Sequence, residues 1–261
     1  MMPKISLVIN CDTRPQRDSF GGENLTGVVN EDFLTDGIYN KVKFFDGFDK
    51  EVIVSIDEHL PVPEETLRYI RTLADVVLIR KHTNEDGFND NNYIRSLYLA
   101  SGDIIIKVDQ DTAMFAKNSK AVSDLIGTLS DCDFVSYPSL WSPFPVFDDS
   151  FNHVWCSTRY FMCKRQSIDL AEIEKCKDYD YWCKTYPVAR KCPWLEHWIG
   201  SIAKYRNQEV YYPKIDLKNY AIFSWGSYEK YTLRRLNEMP YSEIEQWLYN
   251  HPIKYPNDVH C

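Results

Sequence analysis

Short apolar runs alternate with amphipathic segments over the first 110 residues, and this constrains the chain more than any other feature. Ile5 to Ile9, Glu51 to Ile56, Val76 to Ile79 and Ile104 to Asp109 are short and rich in β-branched side chains. Between them, Leu67, Ile70 and Leu73, and then Ile94, Leu97 and Tyr98, recur at helical spacing. Strands separated by helices predict an α/β fold with a parallel sheet and right-handed crossovers. Residues 12 to 37, polar and dotted with glycine, read as a long loop with room for a short helix.

The second half is less regular. Ala121, Val122, Leu125, Ile126 and Leu129 form one apolar stripe, which predicts a helix capped by Ser119. A strand over Phe134 to Tyr137 follows, then a loop rich in proline and aromatics from Pro138 to Phe151, then a strand over Tyr160 to Cys163. Leu195, Ile199, Ile202 and Tyr205 align on a helix over 195–206. Ser242 with Glu245 three residues on makes a capping box for a last helix that buries Ile244 and Leu248. Repeats, low-complexity tracts and linkers are absent, so a single domain over 1–261 is expected.

Composition removes whole classes of function. The net charge is −8 and Lys and Arg form no dense cluster, which argues against nucleic acid as a partner. No stretch approaches 18 apolar residues, so no transmembrane segment is expected. The first apolar run is too short for a signal-peptide core, and a cytoplasmic location is predicted. In that setting the eight cysteines are read as free thiols, and Cys176, Cys183 and Cys192 lack a fourth ligand at zinc spacing. Aromatic content is high at 15%, with 18 Tyr and 7 Trp, which suits sugar contacts because these side chains pair an apolar face with a polar tip.

Chemistry enters at Asp109-Gln110-Asp111, where an apolar strand ends in two carboxylates. The carboxyl end of a strand is where an open α/β sheet binds ligands. Two carboxylates there can hold a hard divalent cation, and the cation can hold a diphosphate. Asp131/Asp133 and Asp178/Asp180 share the spacing but close no apolar strand, and they read as solvated loops, as does Asp148-Asp149. The ten glycines form neither GxGxxG nor GxxxxGK[ST], and GxSxG and HExxH are missing too. A dinucleotide site, a P-loop, a serine-hydrolase elbow and a zinc-peptidase helix are therefore not expected.

Taken in order, four pieces of the chain resemble the GT-A glycosyltransferases, most closely the inverting, DxD-containing family 2 type. Ile5 to Asn10 is similar to the opening strand, and Val52 to Asp57 to the second strand with its terminal Asp. Leu99-Ala100-Ser101-Gly102-Asp103 through Asp111 resembles the helix, Ala-x-Gly-Asp turn, strand and metal motif. Trp194 to Gly200 resembles the acidic helix start that supplies a base. The likeness covers residues 4 to 206. Two departures stand out: the family's Arg-Asn pair is out of register at Asn91, Asn92 and Arg95, and its late Glu-Asp is Glu196-His197 here.

The resemblance implies a GT-A fold, with a mostly parallel central sheet flanked by helices. Residues 1–112 would be the nucleotide-sugar half, 113–206 the acceptor half and 207–261 an extension. It implies a metal-dependent glycosyltransferase that moves a sugar from a UDP- or GDP-sugar to a hydroxyl of a saccharide or glycolipid, as in polysaccharide biosynthesis, with inversion. A glycolipid acceptor would bring peripheral association with a membrane surface. Asp109 and Asp111 would hold Mn²⁺ or Mg²⁺, Asp111 directly and Asp109 through water or by binding the ribose. Asn10, Asp12, Arg14, Asp57, Lys107 and Asp109 would hold the donor, and Trp141, Trp155 and Arg159 the acceptor. Glu196 or His197 would be the base. His251 and His260 are further candidates for a metal ligand. Two rivals share the fold. A sugar nucleotidyltransferase would want glycines after the first strand, where Asn10-Cys11-Asp12-Thr13-Arg14 has none, and a non-catalytic carbohydrate-binding scaffold would not turn over.

Overall fold

A computed structural model describes residues 3–13, 31–81, 91–110, 112–136, 160–186, 195–211, 216–224 and 233–250. The chain begins β1 (Ile5–Asp12), α1 (Glu31–Phe44), β2 (Lys50–Glu58), α2 (Glu64–Leu73), β3 (Val76–Lys81), α3 (Asn91–Leu99) and β4 (Ile104–Asp109). It continues with β5 (Thr112–Ala116), α4 (Ser119–Gly127), β6 (Phe134–Ser136), β7 (Tyr160–Lys164), α5 (Leu170–Cys176) and α6 (Tyr179–Thr185). The remaining described elements are α7 (Leu195–Tyr205), β8 (Val210–Tyr211), β9 (Tyr220–Ser224), α8 (Leu233–Glu238) and α9 (Tyr241–Asn250).

The main sheet has the order β3-β2-β1-β4-β7-β6-β8. Its first four strands are parallel, and β7 runs antiparallel to both β4 and β6. Each central strand is buried on both faces, as a parallel sheet covered by helices requires. On one face, Ile5, Leu7 and Ile9 of β1 and Ile104, Ile106 and Val108 of β4 meet Leu34 and Ile38 of α1 and Leu67 and Ile70 of α2. On the other, Val8, Ile53 and Ile105 meet Ile94 and Leu97 of α3 and Leu195, Trp198 and Ile199 of α7. Each such side chain, fully buried, contributes roughly 1.5–3 kcal/mol of transfer free energy.

This layering creates a switch point. From β1 the chain crosses by α1 on the first face to β2; it reaches β4, on β1's other flank, by α3 on the second face. The carboxyl ends of β1 and β4 therefore bound a crevice. The expected order of strands and helices is present, with some differences. Helix α1 starts at Glu31, inside the segment expected to be mostly loop. Gly37, which looked like loop punctuation, is helical: a Cβ there would come 2.9 Å from the Gln110 carbonyl oxygen, so the helix can approach β4 only without one.

The cap of α4 is Asn118 rather than Ser119, its side chain accepting from the Ala121 N–H at 3.0 Å. Asp178 is exposed between α5 and α6, as read, and it also caps α6, accepting from the N–H groups of Asp180 and Tyr181. Asp133, likewise, accepts from Ser167 Oγ and the Glu209 N–H at 3.0 Å each. A second sheet pairs β5 antiparallel with β9. Phe115 and Phe223 from its strands pack with Leu236 of α8 and Ile244, Trp247 and Leu248 of α9. The burial of Ile244 and Leu248 agrees with the stripe read for the last helix.

Candidate active site

Strand parity gathers the expected donor residues. With Ile9 and Val108 committed to one face, Asn10, Asp12, Lys107 and Asp109 fall on the other. Asp57 follows the parity of Ile53 and joins them. Asn10 is the register partner of Asp109, and Asp12 that of Asp57. Five polar side chains thus stand on one face, at the carboxyl ends of three adjacent parallel strands, on the crevice between β1 and β4.

The motif strand is braced from both faces. On one side the Lys107 ammonium, its residue 0% exposed, is ion-paired with Asp109 and sits 4.7 Å from the centroid of the Tyr93 ring. The ring face favours the cation, and the carboxylate offsets the cost of burying it. On the other side Lys41, also 0% exposed, donates to the Gln110 carbonyl at 2.8 Å. Between them, Gln110 clasps β1. Its amide donates to the Asp12 carbonyl at 2.7 Å, and its oxygen accepts from the Asp12 N–H at 3.1 Å.

Asn10 is 2% exposed, and its Nδ2 donates to Ser96 Oγ at 3.3 Å. Ser96 Oγ in turn donates to the Tyr93 carbonyl at 2.7 Å. Among the described residues the Asn10 Oδ1 has no hydrogen-bond partner, which is a cost the fold carries at this end of the sheet. Asp57 is buried at 8% exposure, and His59 Nε2 lies 3.5 Å from Asp12 Oδ1. Thr13 Oγ1 accepts from the N–H groups of His59 and Leu60 at 2.9 Å each and so fixes the turn after β2. Cys11, on the opposite face, is no nucleophile: burial pushes its thiol up to about 12, despite Lys41 nearby.

Glu196 and His197 lie in the first turn of α7, where the helix dipole favours the carboxylate. The helix sinks Leu195, Trp198 and Ile199 into the core on the same sheet face as Asn10 and Lys107. Its start is pinned by Ser201 Oγ, which donates to the His197 carbonyl at 2.6 Å and accepts from Trp182 Nε1 at 3.3 Å. Arg14, Asp111, Trp141, Trp155, Arg159, His251 and His260 lie outside the described residues, and so does the Asp148-Asp149 pair. Tyr93, Ser96, Gln110 and Lys41 are parts of the site that pattern reading passed over. Of these, only Gln110 carried a local signal, its place between the two aspartates.

The donor chemistry around Asp109 suits a hard ion. Its side chain is 22% exposed at the strand end and offers oxygen. Among the described residues, no group of three or more His, Cys, Asp and Glu converges on a closed metal cage. An open site of one or two carboxylates, completed by substrate phosphates and water, is what Mg²⁺ or Mn²⁺ takes. None of the described helices is long and apolar enough to cross a membrane.

No family model matches the chain, and no curated protein matches it in sequence. Solved structures resemble it in fold. A candidate glucose-1-phosphate thymidylyltransferase from Bacillus anthracis, in complex with sucrose, is 11% identical over 91% of this chain and 95% of its own, with a TM-score of 0.53. The mannosyltransferase PcManGT from Pyrobaculum calidifontis, in complex with GDP-Man and Mn²⁺, is 15% identical over 64% of this chain, with a TM-score of 0.42. The 1–349 portion of TarS from S. aureus, in complex with UDP-GlcNAc, is 13% identical over 84%, with a TM-score of 0.47. The chain spans 46% of the mannosyltransferase and 58% of the TarS portion. It has an α/β fold with a mostly parallel central sheet flanked by helices, and the thymidylyltransferase structure is similar to it in fold.

Proposed function

We propose that the chain is a metal-dependent glycosyltransferase that uses a UDP- or GDP-sugar donor and a saccharide or glycolipid hydroxyl as acceptor, with inversion. The carrying observation is the set of Asn10, Asp12, Asp57, Lys107 and Asp109 on one sheet face at the switch point. Asp57 and Asp12 hold the base and ribose, and Arg14 meets a phosphate. Asp111 would hold the ion directly, and Asp109 would hold it through water or hold the ribose. When bound, Mn²⁺ or Mg²⁺ supplies Lewis-acid neutralisation of the charge on the diphosphate.

The chain's own residues supply the rest. Trp141, Trp155 and Arg159 seat the acceptor. Its hydroxyl oxygen attacks the anomeric carbon as the bond from that carbon to the phosphate oxygen breaks. The diphosphate leaves with the bonding pair, and Glu196, or His197 in its place, takes the hydroxyl proton. The sugar passes through an oxocarbenium-like state, as in glycoside hydrolysis. A sugar nucleotidyltransferase is the second reading, because the thymidylyltransferase fold matches along nearly its whole length.

The test is a panel of UDP- and GDP-sugars, with Mn²⁺ and with chelator, on wild type and Asp111→Ala. Metal-dependent release of a nucleoside diphosphate, reduced by roughly a hundredfold or more in the variant, supports the transferase. Consumption of pyrophosphate with release of a nucleoside triphosphate would transfer the site to the second reading. Neither release nor metal-dependent nucleotide binding would leave a scaffold.

A further inference from the structure

The ammonium of Lys107 is placed where a metal reading of the site would not require one. It is wholly buried, it pairs with Asp109, and the Tyr93 ring backs it at 4.7 Å. An acid meant for direct coordination presents its charge to the ion. Here that charge is already met by a cation of the chain's own, and a divalent ion moving onto Asp109 would approach this ammonium against Coulomb repulsion. Lys107 cannot swing away to relieve this. It is enclosed by β4, β1 and α3, and leaving the pair would strand a charge in the core.

Resting on the transferase reading above, we propose that Lys107 is a positioning residue. It serves as a resident counter-ion that keeps Asp109 out of direct contact with the metal and orients it as an acceptor for a ribose hydroxyl or a metal-bound water. The charge arithmetic follows. Asp109 and Lys107 together carry no net charge, so the attraction for the ion comes from carboxylates beyond this pair. Removing Lys107 alone adds a net negative charge beside the ion. Removing both members restores neutrality and, if Asp109 is not a direct ligand, leaves the metal affinity where it was.

Mn²⁺ binding to the whole chain, read from the loss of the free-ion electron paramagnetic resonance signal, tests this without turnover. Lys107→Met should tighten Mn²⁺ roughly tenfold, as one uncompensated charge close to the ion predicts. Lys107→Met combined with Asp109→Asn should stay within about threefold of wild type. This charge-balanced pair also keeps the test available if the single variant fails to fold, since replacing a buried pair with uncharged groups is often tolerated. A loss of roughly thirtyfold or more in the double variant would overturn the inference by making Asp109 a direct ligand. Unchanged binding in Lys107→Met would overturn it by uncoupling Lys107 from the ion. Either result leaves the transferase reading standing as long as wild type binds Mn²⁺ and Asp111→Ala does not. Absence of binding in every protein would sink both.

Discussion

Strands β2, β1 and β4 end in opposite ways. At their amino ends Glu51 is a saturated lock. Its carboxylate accepts from the Ser6 hydroxyl, from the N–H and hydroxyl of Ser101, and from the Gly102 N–H at 3.2 Å, with Lys4 Nζ at 3.5 Å. Burial alone would raise this carboxyl, but the bonds from Ser101 and Ser6 outweigh it and hold it at about 2. At the carboxyl ends the same strands carry an acceptor on Asn10 with no partner among the described residues, a lysine buried against Asp109, and the buried Asp57. One end is built for stability and the other accepts its cost, as sites that await a ligand do. The Ala-x-Gly-Asp turn that resembled a family signature belongs to the lock, and the aspartates it leads to belong to the proposed site.

The contrast is broken most severely at Gly102. A Cβ there would lie 2.7 Å from both the Lys4 carbonyl oxygen and the Ser6 nitrogen, and backbone cannot step aside cheaply. Gly102→Ala should lose about 3 kcal/mol in urea unfolding, while kcat/KM of the folded protein stays within about twofold. A large fall in kcat/KM with stability unchanged would mean the two ends are not separate.

Glu51→Gln sharpens the same point through pH. The folded carboxyl titrates at about 2, against an ordinary 4.5, so its pKa is depressed on folding. Its contribution is present above the unfolded value and is lost as pH falls from about 4.5 toward about 2. Wild type should exceed Glu51→Gln by on the order of 2 kcal/mol at pH 7. The gap should narrow when unfolding is repeated at pH 4 and narrow further at pH 3, whereas a gap constant with pH would show that the lock is steric.

At the other end, the expected stability effects shrink and the functional ones grow. Asn10→Leu removes the unpartnered acceptor and should change unfolding free energy by less than about 1 kcal/mol. Nucleoside diphosphate affinity, by calorimetry, should fall roughly tenfold. A variant that binds normally but melts early would move Asn10 into the core's account. The smallest expected effect concerns Cys11. With its thiol at about 12, iodoacetamide at pH 8 should leave Cys11 unmodified in the native protein, as mass spectrometry would show; rapid labelling would mean the carboxyl end opens.

The sequence showed the frame of the site more clearly than its braces. β1, β2 and β4 form where expected, with β4 ending at Asp109 as read and β1 and β2 running on to Asp12 and Glu58, because apolar runs and strand parity are local signals; parity alone puts Lys107 beside Asp109. Tyr93, Ser96 and Lys41 come to the site by tertiary packing, and no spacing announces them. Gly37 misled because a glycine in a helix and a glycine in a loop look alike until the Gln110 carbonyl that needs the space is known. β5 escaped notice because its ladder partner among the described residues, β9, lies more than 100 residues away in the chain. The capping roles of Asn118 and Asp178 turn on which of two neighbouring polar residues sits one step outside the helix, a choice made by backbone geometry.

The most direct test of the account is a crystal structure of the chain grown with UDP or GDP and Mn²⁺. The account predicts the nucleoside diphosphate at the carboxyl ends of β2, β1 and β4, with its base and ribose against Asp57 and Asp12 and its phosphates toward the Asp109-Gln110-Asp111 strand end. Elsewhere among the described residues, a cleft of about 210 Å³ around β5 is lined by Asn40, Lys43, Met114, Asn237 and Tyr241. A nucleotide seated there, with the strand ends left bare, would contradict the account.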